Sequence, residues 1–94
     1  PTETGAGRPL PWMIFEVMRR LEVYPPSAVV KVGDTPSDME EARNAGVWAI
    51  GVVASSNEAA AFGAAVARER LEAAGAHRVI DTMDELMAAM ESLA

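Results

Sequence analysis

Cysteine is absent from the 94 residues. That excludes disulfide staples and thiolate metal centres. Basic residues are few, eight Lys and Arg against fourteen Asp and Glu. The resulting net charge of −6 argues against a nucleic-acid partner, because phosphate backbones call for clustered cations. Aromatic residues are scarce as well, so alanine and methionine carry much of the apolar half of the composition. No apolar run reaches the roughly 20 residues that a membrane helix needs. No basic-then-apolar leader opens the chain, so the expectation is a cytoplasmic protein with no membrane partner. The sequence also starts without an initiator methionine, and it reads as a fragment or a processed chain. Lysine and histidine occur once each, as Lys31 and His77.

What is present is organised around Val29-Val30-Lys31-Val32-Gly33-Asp34-Thr35-Pro36-Ser37-Asp38. A β-branched run leads into Gly-Asp-Thr, and a helix signal follows at once. A strand of this kind delivers Asp34 to the carboxyl edge of a sheet, where open α/β sheets bind ligands. Gly33 lets the backbone approach whatever sits there. Pro36 suits a first helical turn, Thr35 or Ser37 can cap it, and the helix dipole favours Asp38 inside it. Asp34 and Asp38 are therefore expected to face one site. Their hard oxygens suit Mg²⁺ that keeps several waters and shares a substrate phosphate.

Residues 1–94 are short enough for one small domain. Residues 1–7 read as a loop or connector. Pro11 opens a helix running to about Glu22, with Met13, Ile14, Val17, Met18 and Leu21 on one apolar face. Tyr24-Pro25-Pro26-Ser27 is a turn, and a strand follows from about Ala28 to Val32. The next helix, Ser37 to Ala45, should turn Met39 and Ala42 inward and Glu40, Glu41 and Arg43 outward. Gly46 is its left-handed cap. Residues 47–53 form a near-continuous apolar strand, as suits a parallel strand covered on both faces. Ser55 and Ser56 beyond it either touch a substrate or turn the chain, the turn being the preferred reading. Glu58 to Ala74 is expected to be helical, interrupted near Gly63, with its Arg and Glu residues on a solvated face. Gly75 caps it, and His77 orders the junction before a short edge strand, Arg78-Val79-Ile80. Asp81-Thr82 caps a last helix from about Met83 to Leu93, with Leu86, Met87 and Met90 inward.

Gly33-Asp34-Thr35-Pro36-Ser37-Asp38 resembles the fourth motif of the haloacid dehalogenase superfamily, whose acidic residues hold Mg²⁺. Gly7-Arg8-Pro9-Leu10-Pro11-Trp12-Met13, Lys31-Val32-Gly33-Asp34-Thr35, Arg43-Asn44-Ala45-Gly46, Gly75-Ala76-His77 and Asp81-Thr82-Met83 resemble, in the same order, the phosphonoacetaldehyde hydrolase (phosphonatase) family. This resemblance implies a partial Rossmann-like α/β core of three layers. It has a short parallel sheet of about three strands with helices on both faces. It implies hydrolysis of a carbon–phosphorus bond in a small phosphonate, with Mg²⁺ as cofactor. It assigns Asp34 and Asp38 to the metal, Gly33 and Thr35 to supporting roles, and Arg8 to the phosphoryl group. A guanidinium suits that last task through its fork of donors and permanent charge.

The resemblance also marks what is missing. No Asp-x-Asp-x-Thr-like nucleophile motif ends a strand, and Lys31 matches a family lysine of this strand, not the Schiff-base lysine of the cap domain. No catalytic residue is therefore expected in this chain, and the chain alone is expected to be inactive. In the superfamily the nucleophile strand lies beside the strand that precedes the metal motif. Without it that strand keeps an unpaired edge, and such edges invite pairing with another chain. A homo-oligomer is the expected assembly.

Overall fold

The computed structural model describes residues 10–93. Its elements follow in the order α1 (Trp12–Leu21), β1 (Val30–Gly33), α2 (Pro36–Ala45), β2 (Trp48–Val52), α3 (Asn57–Phe62), α4 (Ala64–Ala73), β3 (Arg78–Ile80) and α5 (Leu86–Glu91). Short 3₁₀ turns occupy Pro26–Ala28 and Met83–Glu85. The three strands form one sheet in the order β1-β2-β3. Both pairings are parallel, with Val30 opposite Trp48 and Ile50 opposite Arg78. The expected three-layer α/β arrangement is the one observed.

β2 is central, and its alternation divides the core. Ala49 joins Met39, Ala42, Ala67, Leu71, Ile14 and Met18 on the face covered by α1, α2 and α4. Ile50 and Val52 join Ile80 and Ala89 on the face covered by α5. Gly51 lies on the crowded face, where an added Cβ would stand 3.0 Å from Leu71 Cδ1. The glycine lets α4 settle directly on the strand.

Local chemistry places the helix ends. Thr35 Oγ1 accepts from the Asp38 amide, and the Asp38 carboxylate accepts from the Thr35 amide, a reciprocal cap that starts α2. Gly46, at φ +78°, ends α2 as expected. Thr82 and Glu85 repeat the reciprocal cap before α5. Gly63, at φ +97°, separates α3 from α4 where the sequence placed an interruption.

Four expectations about side-chain direction need correction. On α1 only Ile14 and Met18 are buried, whereas Val17 and Leu21 are 49% and 67% exposed. The helix leans mainly on α2, so just a narrow stripe of it is covered. On the last segment Ala89 is buried and Leu86 half-buried, while Met87 and Met90 are exposed. The 3₁₀ turn at Met83–Glu85 advances the chain three residues per turn, which shifts the face that the six-residue α5 presents. Glu41 points inward and is 2% exposed, drawn in by the Lys31 ammonium 3.3 Å from its Oε1. Arg68 lies only partly on the solvated face, its side chain 38% exposed. It donates to the Val79 carbonyl at 3.0 Å and to Asp81 Oδ1 at 2.8 Å, tying α4 to the end of β3.

Candidate functional site

The carboxyl ends of β1 and β2 open onto a cavity of about 290 Å³ lined by Lys31, Val32, Gly33, Asp34, Asp38, Val52, Ser55 and Met83. Asp34 follows the last residue of β1 directly, so the strand itself carries its carboxylate to the cavity. None of the described hydrogen bonds or ion pairs engages that carboxylate. Asp38 is used differently. Its Oδ2 accepts from the amides of Asp34 and Thr35, each at 3.2 Å, and it is 4% exposed. Its Oδ1 lies 3.8 Å from Lys31 Nζ. Asp38 thus clamps the turn that presents Asp34.

Gly33 has a role the sequence did not disclose. A Cβ there would lie 2.4 Å from Asp38 Cβ and 2.6 Å from its carboxyl carbon. The close approach that requires glycine is that of Asp38, folded back beneath the turn. Thr35 supports the turn as the N-cap of α2. Ser55 lines the cavity from the loop after β2, while Ser56 is buried and its Oγ accepts from the Ala59 amide at 3.4 Å. Arg8, assigned to the phosphoryl group by resemblance, lies outside the described residues.

Beneath the turn sits a charged cluster that spacing alone obscured. Asp38 and Glu41 share one face of α2, and Lys31 of β1 reaches both. The Glu41 contact is an ion pair without hydrogen-bond geometry, so Oε1 stays buried with no hydrogen bond from the described residues. The signal for this was the i, i+3 spacing of Asp38 and Glu41 on a helix facing the chain's one lysine.

At the opposite end of the sheet, His77 holds the junction before β3, as its position suggested. Its Nδ1 accepts from the Ala49 amide at 3.0 Å, and its own amide donates to the Ala49 carbonyl at 2.8 Å. The Trp48 ring meets it edge-on at 4.8 Å, and Arg43 Nη1 lies 2.8 Å from Nε2. Burial, reinforced by the Arg43 and Arg78 charges, pushes the His77 pKa below its ordinary value.

The donors at the Asp34 cavity are of the kind Mg²⁺ prefers, oxygen from carboxylate and hydroxyl. They do not enclose an ion by themselves. Among the described residues no group of three or more His, Cys, Asp or Glu is placed to hold a metal. An ion there would find one protein carboxylate, that of Asp34, on a turn that Asp38 fixes.

A parallel α/β sheet with an acidic turn at its carboxyl edge defines a class here. Residues 2–52 match the haloacid dehalogenase-like hydrolase family model, and the chain belongs to that family. Within it, the similarity is to phosphonoacetaldehyde hydrolases. The chain is 43% identical over 105 aligned residues to the phosphonoacetaldehyde hydrolase of Bacillus cytotoxicus, covering 97% of this chain and 40% of the relative. It is 41% identical over 107 residues to that of Bacillus cereus, again covering 40% of the relative. Among solved structures, a phosphonoacetaldehyde hydrolase-like protein from Oleispira antarctica superposes with TM-score 0.81 at 32% identity, over 95% of this chain and 37% of that one. A haloacid dehalogenase-like protein of unknown function from Agrobacterium tumefaciens gives 0.80 at 27% identity, over 98% and 40%. The chain spans about 40% of the length of the curated relatives it matches. No described helix is long and apolar enough to cross a membrane.

Proposed function

We propose that residues 1–94 form the carboxyl-terminal part of a phosphonoacetaldehyde hydrolase-type core, carrying the cation- and phosphate-facing side of the site. The observation that carries this reading is the Asp34 carboxylate, which makes no hydrogen bond or ion pair among the described residues and opens to a polar cavity at the carboxyl edge of a parallel sheet. Asp34 holds Mg²⁺ directly. Asp38 belongs to the same acidic pair and acts mainly by clamping the turn, with Gly33 and Thr35 shaping it. Arg8 meets the phosphoryl oxygens of a small phosphonate or phosphate substrate. When bound, Mg²⁺ supplies charge neutralisation at those oxygens. The cysteine-free composition suits a cytoplasmic setting.

The chain contributes no nucleophile, so catalysis needs an attacking carboxylate and a Schiff-base lysine from elsewhere. Acetaldehyde release from phosphonoacetaldehyde tests this directly. The 94-residue chain is expected to show no turnover above a protein-free control. Sustained turnover lost on Asp34→Asn but carried by the chain alone would overturn the division of the site. A second copy is the proposed partner, through the edge of β1. Among the described residues that strand is paired on one side only, by β2.

A further inference from the structure

Lys31, Asp38 and Glu41 form a cluster that the reading above uses only in part. Lys31 sits on the wall of the Asp34 cavity and equally on the wall of a second, apolar groove between α1 and β1. Its ammonium is therefore placed between two openings. On the groove side it lies 3.3 Å from Glu41 Oε1, and on the cavity side 3.8 Å from Asp38 Oδ1. The Glu41 side chain is 3% exposed, and Oε1 makes no hydrogen bond with the described residues. A buried carboxylate so poorly satisfied costs stability, and an apolar residue would fill the place at less cost. Its presence calls for a use that packing does not supply.

The geometry points to Glu41 as a positioning residue that holds the Lys31 ammonium off the Asp34 cavity. Without the Glu41 charge, Lys31 keeps Asp38 as its paired anion, and Asp34 lines the same cavity. A four-carbon stem lets the ammonium swing that way. Seated there, it would occupy the carboxylate that a divalent cation requires. Glu41 thus lets one lysine offset the Asp38 charge while the cavity stays open to cations. This rests on the proposed cation role of Asp34, and the test separates the two.

The experiment uses the whole chain and Mg²⁺ as the probe, with two readouts. The first is metal-free: nuclear Overhauser contacts from the Lys31 ε-methylene. In the unsubstituted chain they should run to the Glu41 side chain, and in Glu41→Gln they should move to Asp34 and Ser55. The second is Mg²⁺ affinity. Glu41→Gln should weaken it about tenfold or more, the scale of one like charge a few ångströms away, with the unfolding midpoint unchanged or higher. The double variant Lys31→Met/Glu41→Gln removes the competing ammonium and should recover most of the lost affinity. Unmoved Lys31 contacts in Glu41→Gln would overturn the inference, as would a double variant binding Mg²⁺ more weakly than Glu41→Gln. If the unsubstituted chain shows no Mg²⁺ response, the cation reading of Asp34 fails, and the Overhauser contacts alone decide where Glu41 holds the ammonium.

Discussion

Gly33 shows how much one residue can fix. A methyl group added there meets the backbone-proximal atoms of Asp38, which cannot rotate away. Gly33→Ala is expected to cost about 1–3 kcal/mol, as overpacking does, and to loosen the amides of Asp34 and Thr35 from their carboxylate. Urea unfolding and amide exchange check the two halves of that statement. His77 governs a different condition. Its folded pKa lies below the unfolded value because burial and two nearby arginines disfavour the imidazolium. The unfolded chain therefore takes up the proton first as pH falls. The His77 contribution is whole above about pH 6.5 and is lost progressively as pH drops below that, towards the lowered folded value. Chemical denaturation from pH 7.5 to 5 should show a shallower loss of stability for His77→Gln than for the unsubstituted chain. An equal or steeper loss in the variant would contradict this account. Glu16 carries the same sign in a more acidic range, with little consequence. Arg19 and Arg20 hold its carboxyl at about 2, yet both arginines are exposed and Glu16 is only half-buried, so water screens the pairs.

At the scale of elements, sequence and structure agree wherever backbone chemistry decides. Thr35, Pro36 and Gly46 set the ends of α2, and Gly63 divides α3 from α4, because caps and left-handed turns depend on the residue itself. The acidic turn was legible for the same reason. Which side chains are covered was less so, because that depends on neighbours distant in the chain. Val17, Leu21 and Met87 carry helical periodicity and remain exposed, while the charged Glu41 is buried by one lysine from another element. Arg8 lay in a recognisable motif but outside the described residues. Two substitutions weigh these contributions. Thr35→Ala removes a reciprocal cap and should cost about 1 kcal/mol. Met39→Ala empties the fully buried centre of the α2–sheet contact and should cost about 2–5 kcal/mol. Equilibrium unfolding should rank Met39→Ala well above Thr35→Ala. The opposite ranking would place the hold on α2 in its cap, not its packing.

At the scale of the whole molecule, β1, an edge strand among the described residues, is flanked by apolar surface on both faces. Met13 and Val17 lie with Val30 along one groove, and Met90 and Leu93 with Val30 along the other. An edge with this much apolar flank favours pairing, so sedimentation should show concentration-dependent self-association in the micromolar range. A clean monomer throughout would remove the oligomer from the account. The central claim concerns the cavity at the other end of β1, and amide resonances followed during a Mg²⁺ titration test it most directly. In the unsubstituted chain, Gly33, Asp34, Thr35 and Ser55 should shift saturably, while Ala49 and His77 at the far edge should not. In Asp34→Asn those shifts should disappear with the fold intact. Equal shifts in both proteins, or none in either, would contradict the assignment of the Asp34 turn as a cation-binding site.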